Sequence, residues 1–139
     1  MNTKRINLWS SPRNVSTALM YSFAQRADTR VVDEPLYACY LQHASTKLEH
    51  PGKEAILSSQ STSHTEVIDN VFLGPYERPI ALFKQMTHHL QGIPLDFTKK
   101  MDNVLLIRNP RRIIHSFSKV IPNPEMSDIG VRQQWELFS

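Results

Sequence analysis

Apolar positions along this chain fall into short compact runs, separated by stretches in which they recur at helical spacing. Ile6-Asn7-Leu8-Trp9 is one such run and predicts a first strand over Arg5–Ser10. Ala18, Leu19, Met20, Phe23 and Ala24 follow with the spacing of an amphipathic helix, expected from Ser16 to Gln25. A second strand is predicted over Thr29–Glu34, stopped by Pro35, and Tyr37–Leu41 reads as a short helix or turn. Lys47–Gln60 is polar and contains Pro51-Gly52, which marks a surface loop holding at most one helical turn. Ser63-His64-Thr65-Glu66 has the capping-box spacing, with Val67, Ile68, Val71 and Phe72 as an apolar stripe behind it and Gly74-Pro75 as its stop. Pro79–Lys84 predicts a third strand. Asn103–Arg108 is the clearest strand, a continuous run of the kind found in sheets covered on both faces. A helix is expected after Asn109-Pro110, with Ile113, Ile114 and Phe117 on one face. Pro122-Asn123-Pro124 is a loop, and Ser127 is expected to cap a last helix carrying Trp135 and Phe138. Glu136–Ser139 offers neither a glycine stop nor a basic closing turn, so the chain reads as cut short at its C-terminus.

Strands alternating with helices predict an α/β fold, three layers deep, around a mainly parallel sheet. The 139 residues are read as one domain, 1–139. Apolar content of 40% and charged content of 21% describe an ordinary globular chain. No membrane span or secretory segment is legible. The single cysteine, Cys39, excludes an internal disulfide framework, argues against thiolate zinc and fits a reducing cytoplasm. Its expected role is that of a small buried apolar residue.

The net charge of +3 matters less than its placement. Arg108, Arg111 and Arg112 crowd one short segment, and Arg13 stands alone on the first loop. No aromatic residues interleave with these cations, which argues against a nucleic-acid platform and for a small polyanionic ligand. The Asn14-Val15-Ser16 sequon, without an export signal, reads as accidental.

Two segments repeat one design: an apolar strand, a basic loop with proline, then a helix opening with hydroxyls. The first runs from Leu8 to Thr17, the second from Leu105 to Ser116. A helix N-terminus has unpaired N–H groups and the positive end of the macrodipole, and Ser16, Thr17 and Arg13 add donors for phosphate or sulfate oxygens. The plainer reading is a helix capped by Asn14 or Ser16 with Arg13 solvated. For Arg108–Arg112 the plainer reading is a solvated helix start, although cations there oppose the macrodipole and an anion would relieve that cost. In a parallel sheet both loops emerge at carboxyl ends of strands, where such folds bind ligands.

These paired segments resemble the sulfotransferase family, which transfers sulfuryl groups from 3′-phosphoadenosine 5′-phosphosulfate and has a P-loop-like fold. Pro12-Arg13-Asn14-Val15-Ser16-Thr17 is similar to the family's 5′-phosphosulfate loop, and Leu106–Ser116 to its 3′-phosphate segment. Asp33-Glu34-Pro35-Leu36 is similar to the Glu-Pro-Leu element of carbohydrate sulfotransferases and their bacterial relatives. The nearest resemblance is to the bacterial sulfotransferase-like domain also found attached to plant aminotransferase-like proteins. It implies that Arg13, Ser16 and Thr17, helped by Asn14, bind the 5′-phosphosulfate, and that Arg108 and Ser116 hold the 3′-phosphate. Glu34 would be the general base on the acceptor, or else a carboxylate paired structurally with Arg13 or Arg108. Lys84 would contact the leaving group. His88, in Lys84-Gln85-Met86-Thr87-His88-His89, offers a second base, although such a pair is more often ordinary loop residues.

Three departures qualify this resemblance. Val15 stands where the family has its loop glycine, so the loop must either grip less closely or take another shape. Ala18 replaces the aromatic residue after the loop, and the late glycine- and lysine-containing segment that closes over the cofactor is absent. The rivals are a kinase-like nucleotide site, which lacks the Gly-x-x-x-x-Gly-Lys pattern here, and a non-catalytic module keeping the phosphate-binding frame. The acceptor is a small molecule of undefined type. An exposed edge at the C-terminus would favour a homo-oligomer.

Overall fold

Strand β1 (Lys4–Ser10) lies inside a four-stranded sheet in a computed structural model that describes residues 2–43, 53–120 and 123–139. β3 (Ile80–Met86) flanks it on one side and β4 (Asp102–Leu106) on the other, with β2 (Thr29–Asp33) outside β3. Every pairing is parallel, and parallel pairing demands crossovers. Helix α1 (Ser16–Ala24) joins β1 to β2 and packs back on β2 and β3. Between β2 and β3 come α2 (Tyr37–His43), α3 (Lys53–Ser59) and α4 (His64–Val67), the last continuing as a π-helical turn over Ile68–Phe72. Two 3₁₀ turns, Thr87–Leu90 and Asp96–Lys100, lead from β3 to β4. Helices α5 (Pro110–Phe117), α6 (Met126–Ile129) and α7 (Val131–Phe138) follow. This is the expected α/β architecture.

Side-chain alternation divides the sheet between two cores. Trp9, Ala81 and Phe83 face one side, where they pack with Leu36, Cys39, Phe72 and Phe97. The Phe72 ring meets Phe83 edge-on at 5.1 Å and stacks on Phe97 at 5.0 Å. Leu8 and Leu82 alternate to the other face, and Met20 of α1 is buried with them. Each large side chain fully withdrawn from water contributes about 2 kcal/mol relative to exposure.

Asn7, the polar interruption in the first apolar run, has a structural use. Its Oδ1 accepts from Gln85 Nε2 (3.2 Å), and its Nδ2 donates to Asn103 Oδ1 (3.0 Å). Trp9 Nε1 donates to the same Asn103 oxygen at 2.9 Å. A chain of amides therefore links β3, β1 and β4 through the sheet.

Several expectations need correction. The run after Asn103 is not covered on both faces: β4 is an edge strand, and Val104 is 49% exposed. The thoroughly buried strand is β3, although it carries Lys84 and Gln85. Part of the predicted loop Lys47–Gln60 is helix α3; residues 44–52 lie outside the described residues, as does Pro122 of the predicted Pro122–Pro124 loop. The capping box at Ser63 is half formed. Ser63 Oγ accepts from the Glu66 N–H at 3.4 Å, but Glu66 Oε2 takes the Ser61 hydroxyl at 2.6 Å. The last helix is two helices. Glu125, not Ser127, caps α6 with Asp128 as its reciprocal partner, and Gly130 at φ 67° breaks the path before α7. Ile113 and Phe117 of α5 are buried one turn apart, while Ile114 faces outward.

Candidate functional site

Register brings the chemistry to one edge. Ser10 of β1 lies beside Met86 of β3 and Leu106 of β4, and Asp33 of β2 lies beside Lys84. The carboxyl ends of all four strands therefore open on the same side. The chain leaves β1 toward the β2 side and later crosses to β4, so the first loop sits where ligands enter open α/β sheets.

The two basic loops touch. Arg13 Nε donates to Ser116 Oγ at 2.8 Å, and Arg108 Nη1 donates to the Arg13 carbonyl. Asn14 Nδ2 reaches the Leu106 carbonyl at 3.5 Å while its Oδ1 accepts the Val15 N–H at 2.8 Å. Val15 is the N-cap of α1 and makes no side-chain cap, so neither Asn14 nor Ser16 caps this helix. Val15 has φ −83°, and the left-handed conformation falls instead on Arg13, at φ 60°. The branched residue in the expected glycine position is thus accommodated by a loop of different shape. Ser16 is buried in the first turn and Thr17 is exposed. At α5, Asn109 Oδ1 accepts the Arg111 N–H at 2.9 Å, which leaves Arg111 and Arg112 exposed at the helix start. Among the described residues none of these four arginines has a carboxylate partner.

A second cluster forms around Glu34. Lys84 is 6% exposed, and its Nζ lies 3.2 Å from both Asp33 Oδ1 and Glu34 Oε2. Glu34 therefore pairs with Lys84 and not with Arg13 or Arg108. Its side chain is 22% exposed. Burial pushes its carboxyl above the ordinary value, the Lys84 ammonium pulls it back, and the Asp33 charge adds to the rise. His89 Nε2 stands 3.9 Å from Glu34 Oε1. The His89 ring is stacked on Tyr37 (4.8 Å) and on Tyr40 (4.9 Å), while His88 meets Tyr40 edge-on at 5.0 Å. Burial, with the Glu34 and Tyr40 charges, pushes the Tyr37 hydroxyl up to about 12. Both histidines are buried in the 3₁₀ turn after β3, so they are not ordinary loop residues. His89, rather than His88, is the one placed toward the carboxylate.

The structure thus joins Arg13, Asn14, Arg108 and Ser116 in one group, and Glu34 with Lys84 in another on the same sheet edge. Sequence reasoning missed Gln60, whose side chain bonds the Glu34 carbonyl, because nothing in a Ser-Ser-Gln-Ser stretch announces a distant partner. Charge alternation could not have shown the His89–Glu34 approach either. A cleft of about 780 Å³ lined by Leu90, Ile93, Leu95, Arg132 and Glu136 shares no residue with either group.

Two strand–loop–helix units that carry arginines and hydroxyls at one edge of a parallel sheet define an α/β protein with a candidate anion site. The family model for the sulfotransferase domain matches residues 4–139, and the chain belongs to that family, whose fold is P-loop-like. Branched-chain-amino-acid aminotransferase-like protein 1 of Arabidopsis thaliana is 38% identical over 135 residues, which is 96% of this chain and 24% of that protein. Branched-chain-amino-acid aminotransferase-like protein 2 of the same plant is 36% identical over the same shares. The chain thus spans about a quarter of the length of these curated relatives. No solved structure matches it. Among the described residues, no helix is long and apolar enough to cross a membrane.

The family's cofactor, 3′-phosphoadenosine 5′-phosphosulfate, carries anionic groups at two separated positions. The donor set fits it: Arg13 and Arg108 on the two joined loops, Arg111, Arg112 and Ser116 on α5, and an uncapped α1 N-terminus, with no carboxylate partner for these arginines among the described residues. The buried Ser11 Oγ, beside the first loop, has no hydrogen-bond partner among the described residues.

Proposed function

We propose that this domain binds 3′-phosphoadenosine 5′-phosphosulfate across its two arginine loops and transfers the sulfuryl group to a hydroxyl or amine of a small acceptor. The observation that carries this reading is the junction of the loops, Arg13 to Ser116 and Arg108 to the Arg13 carbonyl. When bound, the cofactor supplies an activated sulfuryl group whose sulfur–oxygen bond to phosphate breaks as the bond to the acceptor forms. Arg13, Ser16 and Thr17 with the α1 amides would hold the 5′ end, and Asn14 would support them from the Leu106 carbonyl. Arg108 and Ser116 would hold the 3′-phosphate. Preorganised donors of this kind stabilise charge without reorganising during reaction.

Glu34 would take the acceptor proton. An alcohol is a poor nucleophile until its proton begins to leave, and a carboxyl raised by burial is a better acceptor for it than a free one. Lys84, held by Asp33 and Glu34, would keep Glu34 ionised and oriented and would contact the leaving group. His88, edge-on to Tyr40, would be the second candidate base. The domain would work in a reducing cytoplasm.

Calorimetric titration with 3′-phosphoadenosine 5′-phosphate, with ATP and ADP as comparators, tests the binding half. Preference for the 3′-phosphorylated nucleotide that disappears in Arg108→Ala is the expected result. Preference for ATP would move the domain to kinase-type chemistry, and binding of none by the folded protein would make it a non-catalytic module. Glu34→Gln tests the chemical half: nucleotide binding should persist and turnover should fall by about a hundredfold, the scale of one general base. Normal turnover in Glu34→Gln would remove Glu34 from the mechanism.

A further inference from the structure

Glu34 has φ 46°, a left-handed conformation that costs a non-glycine residue about 1–2 kcal/mol. Such a residue stays in place only where its surroundings hold it. Its N–H donates to the Lys84 carbonyl at 2.9 Å. Its carbonyl accepts from the Tyr37 N–H at 3.1 Å and from Gln60 Nε2 at 3.2 Å. Gln60 uses its other atom as well: Oε1 accepts the Ala38 N–H at 3.1 Å, in the first turn of α2. The backbone of Gln60 is itself tied to α3 by its N–H on the Ile56 carbonyl at 3.1 Å. One neutral side chain therefore fastens both the strained peptide and the start of the helix that follows it.

We infer that Gln60 is a positioning residue for the transfer reaction: by clamping the Glu34 carbonyl and the Ala38 N–H it fixes the turn from which the Glu34 carboxylate meets Lys84. This rests on the reading of Glu34 as the base. The groups that face the carboxylate are Asp33 on β2, Lys84 on β3, His89 on the 3₁₀ turn and Tyr37 on α2. Gln60 carries no charge and bonds to the Glu34 backbone, so its loss leaves that set of charges intact. What changes is geometry, and small misplacements of a catalytic group are costly.

Gln60→Ala and Gln60→Glu test this in parallel. Gln60→Glu keeps the size and the acceptor for the Ala38 N–H but loses the donor to the Glu34 carbonyl. Four quantities are read: kcat, KM for the sulfuryl donor, Kd for 3′-phosphoadenosine 5′-phosphate, and the ¹³C NMR titration of the Glu34 carboxyl, assigned through Glu34→Gln. In both variants kcat should fall about tenfold while Kd stays within about twofold. In Gln60→Ala the Glu34 midpoint should move down toward the ordinary carboxylate value, because the turn opens to water and burial is the chief cause of its rise; Gln60→Glu adds a second carboxylate beside Glu34 that pushes the midpoint up, so that variant is read by kcat against Kd. An unchanged kcat and an unchanged Glu34 titration in a folded variant would overturn the inference. If Gln60→Ala does not fold, Gln60→Glu decides through kcat: an unchanged kcat overturns the inference and a fall at constant Kd supports it. If the wild-type domain shows no transfer, the reading of Glu34 as base has failed, and the NMR titration still decides whether Gln60 sets the Glu34 turn.

Discussion

Arg13 joins the two basic loops through both its side chain and its carbonyl, and it does so from a left-handed backbone at φ 60°. Its strain and its contacts are a single feature, since the turn aims the guanidinium at Ser116. Arg108 completes the junction, and Arg108→Ala should cost about 2 kcal/mol of nucleotide affinity, the scale of one charged hydrogen bond. That corresponds to about a 30-fold rise in Kd by calorimetry. Glu34 yields a prediction of opposite character. A carboxyl whose folded pKa stands above its unfolded value stabilises the fold fully below the ordinary glutamate value and loses this as pH rises through the folded value. At neutral pH an ionised Glu34 is therefore a net cost to the fold. Glu34→Gln, neutral at every pH, should melt higher than wild type at pH 7, with the gap closing near pH 4. A lower melting temperature at pH 7 would show that the Lys84 pairing outweighs burial. Asp28 acts the other way: hydrogen bonds from Arg26 and Thr29 hold its carboxyl at about 2, so its contribution is present above 3.8 and lost as pH falls.

At the scale of elements, the α6–α7 elbow shows what a single backbone conformation holds in place. Gly130 sits at φ 67°, and a Cβ there would lie 2.5 Å from the His88 nitrogen and 2.5 Å from Thr87 Oγ1. Gly130→Ala combines a left-handed alanine with overpacking, and should destabilise the domain by about 3 kcal/mol in denaturant unfolding. A loss below about 1 kcal/mol would mean that the 3₁₀ turn yields to the added methyl. This glycine was passed over in the sequence because Ser127, Trp135 and Phe138 read as one helix, and periodicity does not register a one-residue break with near-helical spacing on both sides. The strands were more legible. β1, β2 and β3 lie within two residues of their predicted bounds, since short apolar runs bounded by polar residues or proline carry that signal directly. What the runs do not encode is lateral position. Asn103–Arg108 reads as a central strand from its composition, yet β4 lies at the edge, and Ile107 just beyond it is 77% exposed. β3 reads as less apolar but is buried from Ala81 to Met86, with Lys84 paired to Asp33 and Glu34 and Gln85 Nε2 donating to Asn7.

For the molecule as a whole, parallel register converts four separate strand ends into one functional edge, and that explains which parts of the site were legible. Residues on the loops immediately after β1 and β4 were found because strand, cation, hydroxyl and helix follow each other along the chain. Gln60 and His89 reach Glu34 from just after α3 and from the 3₁₀ turn, across 26 residues in the first case, so only the fold brings them there. On the proposed reading, the same edge should couple ligand to stability. Among the described residues the arginines of these two segments have no carboxylate partners and repel one another, so a nucleotide with two anionic groups should bind the folded chain and ignore the unfolded one. At a hundred times Kd such a ligand adds about 2.7 kcal/mol to the unfolding free energy, which for a domain of this size raises the melting temperature by roughly 10 °C. Thermal unfolding with 3′-phosphoadenosine 5′-phosphate should show this shift, and Arg108→Ala should reduce it at the same ligand concentration. Because the arginines are exposed or half-buried, the shift should also shrink as salt is raised from 0.1 M to about 0.5 M, where screening shortens the reach of each charge. A shift of equal size with adenosine alone, or one indifferent to salt, would place the ligand away from the arginine loops and remove the basis for two anion sites on this edge.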